Sequence, residues 1–108
     1  MTLHWFIMNK EEIKDKLQEA VKDCPYISEI KRLAIFGSYV NGEAKENSDV
    51  DVLIDFTEEA HVGFFKYVRI RRALSEILGL EVDMVTPQAL SKYIKDAVLQ
   101  QAETIYER

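Results

Sequence analysis

The 108-residue chain has little cysteine, proline or glycine and no excess of positive charge. One cysteine, Cys24, excludes an internal disulfide and favours a reducing compartment, the cytoplasm. No apolar run reaches the length of a membrane span, so no membrane protein is expected. The four glycines form neither a phosphate-binding loop followed by lysine nor a dinucleotide fingerprint. A net charge of −5 argues against a broad nucleic-acid-binding surface, so direct nucleic-acid binding is not expected.

The length predicts one domain over 1–108 with a single hydrophobic core. The motifs place the central part of this domain at about 30–106. Residues 1–8 are apolar but lack the basic region and the cleavage site of a signal peptide. They are either a first apolar anchor or an extension before a true start at Met8. The sequence leaves both interpretations open.

Apolar periodicity predicts an α/β (α+β) domain, in which helices flank a small mixed sheet of three or more strands. The predicted elements are a helix over 9–23, a strand over 33–36, a short helix over 38–42, a strand over 50–56, a helix from 57 to about 78, a strand over 80–85 and a helix from 87 to about 106. Val50 and Val52 should face the core.

Local signals set the predicted helix ends. Asn9 and Glu12 predict a capping box, Thr57 a helix start, Gly79 a helix stop, and Thr86-Pro87 the start of the last helix. The candidate core positions on helices are Ile13, Leu17, Ala20, Val21, Phe64, Phe65, Val68, Leu74, Ile77, Leu78, Leu90, Ile94, Val98 and Ile105. Apolar residues of the last helix are alternatively a partner or dimer surface, so a homo- or hetero-oligomer is conceivable.

The motif with the most chemical content is Gly37-Ser38, followed after ten residues by Asp49-Val50-Asp51. Gly37 permits a sharp turn and a close backbone approach to a ligand. Alternate residues of a strand point to the same face, so Asp49 and Asp51 project together with Cα atoms about 7 Å apart. The pattern suits metal-assisted chemistry on a nucleoside triphosphate.

A third acid, Asp83, interrupts the apolar strand predicted over 80–85. If this strand lies beside the one over 50–56, Asp83 joins the other two acids, and it could bind metal or accept a proton from a hydroxyl. Hard oxygen ligands favour Mg²⁺ or Mn²⁺, and three uncompensated carboxylates are costly without a cation. Taken singly, Asp49 is also typical of a turn, and Asp83 of an exposed edge strand. The order of all these residues together favours the functional interpretation.

These residues resemble the signature of the minimal nucleotidyltransferase (MNT) family of the DNA polymerase beta superfamily: Gly-Ser, about ten residues, Asp-x-Asp, and a third acid on a later strand. The resemblance covers roughly residues 30–106 and implies the nucleotidyltransferase fold. It also implies transfer of AMP from ATP to a hydroxyl, with pyrophosphate leaving. Gly37 and Ser38 would hold the triphosphate, and Asp49 and Asp51 would carry the metals. Asp83 would complete the metal site or act as the base.

Small members of this family are often encoded beside a HEPN-domain ribonuclease toxin, which implies an antitoxin that attaches AMP to a toxin tyrosine. Two alternatives stay open. One is a non-catalytic antitoxin that neutralises its toxin by contact alone, although all three acids are present. The other is a small-molecule nucleotidyltransferase acting, for example, on an aminoglycoside, although the chain lacks the C-terminal helical domain of such enzymes. Arg69, Arg71 and Arg72 are candidates for binding triphosphate or an acidic partner, or are simply a solvated helix face.

Overall fold

Four strands and four helices form within residues 8–45 and 48–108, the part of the chain that the computed structural model describes. They are α1 (Lys10–Lys22), β1 (Ile30–Phe36), α2 (Ser38–Asn41), β2 (Val50–Phe56), α3 (Phe64–Leu78), β3 (Val82–Val85), α4 (Lys92–Gln101) and β4 (Glu103–Glu107). None of these helices combines the length and the apolar character that a membrane span requires. The predicted extension over 1–8 lies outside the described residues except for Met8, which packs against the core.

The strands form one mixed sheet in the order β3-β2-β1-β4. β1 pairs antiparallel with both β2 and β4, whereas β2 and β3 run parallel. The prediction of a small mixed sheet flanked by helices is therefore confirmed. Because β3 runs parallel to β2, both strands begin at the end of the sheet where β1 finishes.

The core lies between α1, α3 and one face of the sheet. Ile35, Val52 and Met84 sit side by side on β1, β2 and β3 in that face, and all three are buried. The predicted inward positions Val50 and Val52 are fully buried. Alternate strand residues point the opposite way, so Asp51 and Asp83 must lie on the other face.

Helix α1 agrees closely with its prediction. Asn9 and Glu12 form the predicted capping box, in which the Glu12 N–H donates to the Asn9 side chain and the Asn9 N–H donates to the Glu12 carboxylate. The four predicted core residues of this helix are all buried: Ile13, Leu17, Ala20 and Val21. Local signals were sufficient here because the cap and the apolar stripe both lie within the helix itself.

The predicted start of α3 was wrong. The helix begins at Phe64 rather than at Thr57, whose N–H instead donates to the Glu29 carbonyl at 2.9 Å. The buried stripe of α3 consists of Ile70, Leu74 and Leu78. Ile70 was missed by the sequence-based prediction, while Leu74 and Leu78 were correct.

Three predicted core residues of α3 are largely exposed, which corrects the prediction. Phe64 and Phe65 are 75% and 80% exposed, because they occupy the first turn and lie outside the buried stripe. Ile77 is half-exposed, since it lines an open groove between α1 and α3. Val68 is partly buried.

The predicted last helix over 87–106 was also wrong, because three elements replace it. Thr86-Pro87 opens a short 3-10 turn (Pro87–Ala89), α4 follows with Ser91 as its cap, and β4 completes the sheet. The segment Thr104-Ile105-Tyr106 is rich in strand-favouring residues, and the open edge of β1 offers it backbone partners. Ile105 is buried as predicted, but on a strand. On the helical side, Leu90 and Val98 are only partly buried and Ile94 is 50% exposed.

Two salt bridges connect β4 to α1. Glu103 accepts hydrogen bonds from Lys10 at 2.9 Å and from Lys14 at 3.1 Å. These two bonds lower the pKa of Glu103, and the bond from Lys10 is the largest cause. The first residue of β4 is therefore held on two sides, by α1 and by β1.

The pair Ile105 and Ile94 tests the strand assignment. We expect Ile105→Ala to lower the free energy of unfolding by about 2–4 kcal/mol, because it empties a buried position. Ile94→Ala should cost less than about 1 kcal/mol, since that side chain is half-exposed. Urea unfolding measures both values. Equal losses would contradict the division of this segment into α4 and β4.

Candidate active site

The predicted acids meet at the end of the sheet where β1 finishes and β2 and β3 begin. Asp51 lies opposite Asp83 in the parallel ladder and opposite Phe36 in the antiparallel one. Asp49, two residues before Asp51 and exposed, lies just ahead of β2. The condition set by the sequence, that the strand of Asp83 lies beside the strand of Asp51, is met.

The carboxylates are close enough to perturb one another. The pKa of Asp51 is raised to about 6, first by burial and then by the charges of Asp83 and Asp49 and a side-chain hydrogen bond with Asp83. Among the described residues, none of the ion pairs includes one of these three acids. Asp51 therefore carries an uncompensated electrostatic cost at neutral pH.

The donor chemistry of these acids fits a divalent cation, although the ligands are not preassembled. The described residues contain no ready group of three acidic, histidine or cysteine side chains placed to hold a metal ion. Asp51 and Asp83 nevertheless offer hard oxygen atoms and unbalanced negative charge, which Mg²⁺ or Mn²⁺ prefers. A bound cation would relieve the repulsion that raises the pKa of Asp51.

Gly37 forms the turn against which Asp51 packs. Its φ of 78° lies in the region that favours glycine. A Cβ added at this position would stand 2.9 Å from Asp51 Cγ and closer still to Oδ2. Glycine is therefore required here both for the backbone angle and for the close approach of the Asp51 carboxylate.

Ser38 begins α2, which agrees with the predicted short helix over 38–42. The residue is partly exposed and borders a cavity of about 400 Å³, which is also lined by Met8, Lys10, Tyr39, Val40 and Ala44. None of the three acids lines this cavity. Ser38 therefore borders this cavity and directly follows Gly37, the turn residue that contacts Asp51.

A contact at this turn was missed by the sequence-based prediction. The Gly37 N–H donates to the Gln101 side-chain oxygen at 2.8 Å. Gln101 is the last residue of α4 and is 64 positions away from Gly37. No local pattern signals such a pair, because its two members belong to elements that meet only in the folded sheet.

The arginines of α3 divide between two ends of the molecule. Arg69 donates to the Tyr26 hydroxyl at 3.3 Å, near the start of β1 and away from the acids. Arg71 lies 3.8 Å from Glu81, which precedes β3, and Arg72 is exposed. Of the three, Arg71 is the one paired with a residue adjacent to the strand that carries Asp83.

Tyr67 closes the outer edge of β3. Its hydroxyl donates to the Met84 carbonyl, and the pKa of Tyr67 is raised by burial and then by the charge of Asp83. The contact satisfies a backbone group that an edge strand would otherwise leave unpaired. It fixes α3 against the strand that carries Asp83.

Comparisons with known proteins agree on one family. The model of the nucleotidyltransferase domain family matches residues 10–105. The protein adenylyltransferase MntA of Thermococcus cleftensis is 37% identical over 100 residues, which cover 93% of this chain and 97% of that protein.

Two solved structures extend the comparison. A protein described as a minimal nucleotidyltransferase has a TM-score of 0.71 and 32% identity, covering 89% of this chain and 95% of that chain. A complex of an MNT antitoxin with the tri-AMPylated HEPN toxin of Shewanella oneidensis gives a TM-score of 0.61 at 17% identity, covering 92% of this chain and 73% of that chain. The second likeness concerns the fold alone.

Gly37 and Gly42 differ in what an added Cβ would cost. Both glycines have φ near 80°, but the ψ of Gly37 is −148° whereas that of Gly42 is 15°, and only Gly37 faces an obstacle. We expect Gly42→Ala to cost about 1–2 kcal/mol of unfolding free energy from the backbone angle alone. Gly37→Ala should cost more, because its backbone region is open almost only to glycine and because its Cβ must displace the Asp51 carboxylate. Equal losses in urea unfolding would contradict both the conformation of Gly37 and the close approach of Asp51.

The raised pKa of Asp51 predicts an unusual pH dependence of stability in the presence of EDTA. A carboxyl whose folded pKa lies above its unfolded value stabilises the protein fully at low pH, and this contribution is lost as the pH rises through the folded pKa. For Asp51 the loss should fall between about pH 4 and pH 6. Asp51→Asn cannot ionise, so it should remove this loss and be the more stable protein at pH 7.

Thermal unfolding from pH 4 to pH 8 measures the effect. Asp55→Asn, on the same strand but outside the acid cluster, is the matched control and should keep the wild-type dependence. A wild-type curve that coincides with that of Asp51→Asn would contradict the predicted crowding of the acids.

Proposed function

Because the chain belongs to the nucleotidyltransferase domain family, as a minimal nucleotidyltransferase, we propose that it transfers AMP from ATP to a tyrosine hydroxyl of a HEPN-domain toxin. In this role it is the antitoxin of a toxin–antitoxin pair in the cytoplasm. The relative named as a protein adenylyltransferase supports the reaction, and the complex of an MNT antitoxin with an AMPylated HEPN toxin supports the partner. The observation that carries the proposal is the row formed by Asp51 and Asp83 beside the Gly37 turn.

Asp49, Asp51 and Asp83 are the proposed ligands of Mg²⁺ or Mn²⁺. When bound, such a cation supplies positive charge that offsets the triphosphate and the developing charge of the leaving pyrophosphate. Two observations support this assignment: burial and the neighbouring acids raise the pKa of Asp51, and none of the ion pairs among the described residues includes it. Transfer should therefore depend on a divalent cation.

The remaining residues bind and orient the substrate. Ser38 offers a hydroxyl and a backbone N–H to the triphosphate, and Gly37 forms the turn that holds Ser38 beside Asp51. The tyrosine oxygen attacks the α-phosphorus, the bond from that phosphorus to the pyrophosphate oxygen breaks, and the hydroxyl proton moves to Asp83. Asp83 suits this part because its side chain is exposed at the sheet end.

The intact mass of the acceptor protein tests the reaction. A HEPN-domain protein from the same genome is incubated with this protein, ATP and MgCl₂, and it should gain the mass of one or more AMP units. Asp51→Asn should slow the gain at least about 100-fold, because it removes a metal ligand that stabilises the transition state by several kcal/mol. Asp55→Asn should transfer at the wild-type rate.

Three further outcomes separate the alternatives. EDTA should stop transfer, and added Mg²⁺ or Mn²⁺ should restore it; transfer that persists in EDTA contradicts the metal assignment. A stable complex with no mass gain would instead indicate an antitoxin that acts by contact alone. Transfer to an aminoglycoside, with none to the HEPN-domain protein, would indicate a small-molecule nucleotidyltransferase.

A further inference from the structure

The last turn of α4 makes a contact that the rest of that helix does not explain. No side chain of α4 is fully buried, and Tyr93 is 85% exposed. Yet Gln101, which ends the helix, is partly buried and accepts the Gly37 N–H at 2.8 Å. Although α4 buries none of its side chains fully, its last residue, Gln101, thus contacts the Gly37 turn beside the acids.

The position of Gln101 follows from where β4 begins. The ladder between β1 and β4 ends with the pair Ile35 and Glu103, two residues before Gly37. The Gly37 N–H therefore lies past the last backbone acceptor that β4 offers. Gln101, two residues ahead of Glu103, supplies a side-chain carbonyl in place of the missing strand. A partly buried N–H without such an acceptor is unfavourable.

With this bond, both backbone polar groups of Gly37 are engaged. The N–H is bound by Gln101, while the carbonyl accepts from Val40 at 3.0 Å and from Asn41 at 3.1 Å. With both groups engaged, the peptide planes on either side of Gly37 have fixed orientations. The Asp51 carboxylate packs directly against this residue. Gln101 therefore holds the N–H of the residue that precedes Ser38 and contacts Asp51.

We propose that Gln101 is a positioning residue for AMP transfer. It fixes the Gly37 peptide so that Ser38 and Asp51 are both placed to act on the same triphosphate. The inference rests on the proposed function, because the triphosphate is the substrate proposed above. Gln101 itself touches no reacting atom. It acts through the turn, so its loss should reduce the rate of transfer while the acids stay in place.

Three variants separate positioning from folding. Gln101→Met keeps the side-chain length but removes the acceptor, whereas Gln101→Glu keeps an oxygen acceptor. Gln100→Met makes the same chemical change at an exposed neighbour on the same helix and is the matched control. Amide hydrogen exchange of Gly37, followed by NMR without nucleotide, reports the bond directly. We expect faster exchange in Gln101→Met alone.

Kinetics of AMP transfer to the HEPN-domain protein then test the role. Gln101→Met should lower kcat/KM about three- to tenfold, which is the range expected for one lost hydrogen bond, with kcat itself reduced. Gln101→Glu should recover only part of the lost rate, because its carboxylate accepts the bond but its charge repels the acids and the triphosphate. Gln100→Met should leave kcat/KM unchanged. Rates are expressed per folded molecule, using circular dichroism to measure the folded fraction.

Each result bears on a different claim. Faster Gly37 exchange together with a wild-type kcat in Gln101→Met would overturn the positioning role and leave a structural bond. Unchanged exchange in that variant would overturn the contact itself. A wild-type protein that transfers no AMP would overturn the proposed function, and this role with it. An active wild type, a slow Gln101→Met and a Gln101→Glu variant that is faster than Gln101→Met support the inference.

Discussion

The register between β2 and its neighbours is the constraint on which the site depends. Pairing of Asp51 with Asp83 brings two carboxylates side by side, although like charges repel and burial adds to the cost. The opposite face of the same strands supplies the compensating energy, because Val52 and Met84 are buried there against the helices. A one-residue slip would move the acids into the core, so the apolar face also fixes the geometry of the polar one.

Much of this arrangement could be predicted from short stretches of sequence. Strand alternation correctly placed Val52 inward and Asp51 outward, and the capping residues correctly placed α1. The errors arose where a distant partner decided the structure. Thr57 binds Glu29 instead of starting a helix, and residues 103–107 pair with β1 instead of continuing one. In both places the local signal was real but weaker than a backbone bond offered by another element.

The candidate site also combines residues that local sequence marks with one that only a distant partner explains. Gly37, Asp51 and Asp83 are recognisable in the sequence because each breaks a local pattern, either at the end of a strand or within one. Gln101 breaks none, since a glutamine near a helix end is ordinary. Its partner is a backbone N–H rather than a side chain, so no complementary residue type marks the pair. Such a contact can be identified only from the tertiary structure, which places the end of α4 and the start of β4 beside β1.

The long separation between Gly37 and Gln101 has a consequence for the timing of biosynthesis. A ribosome makes the turn first and its acceptor 64 residues later. At about 5–20 residues per second, the delay is roughly 3–13 seconds. Asp49, Asp51 and Asp83 are all made within that interval. Once Asp83 has been added, the nascent chain holds all three acids but has neither the side chain that binds the Gly37 amide nor the strand that completes the sheet. The chemical groups of the site are therefore present before the geometry that organises them.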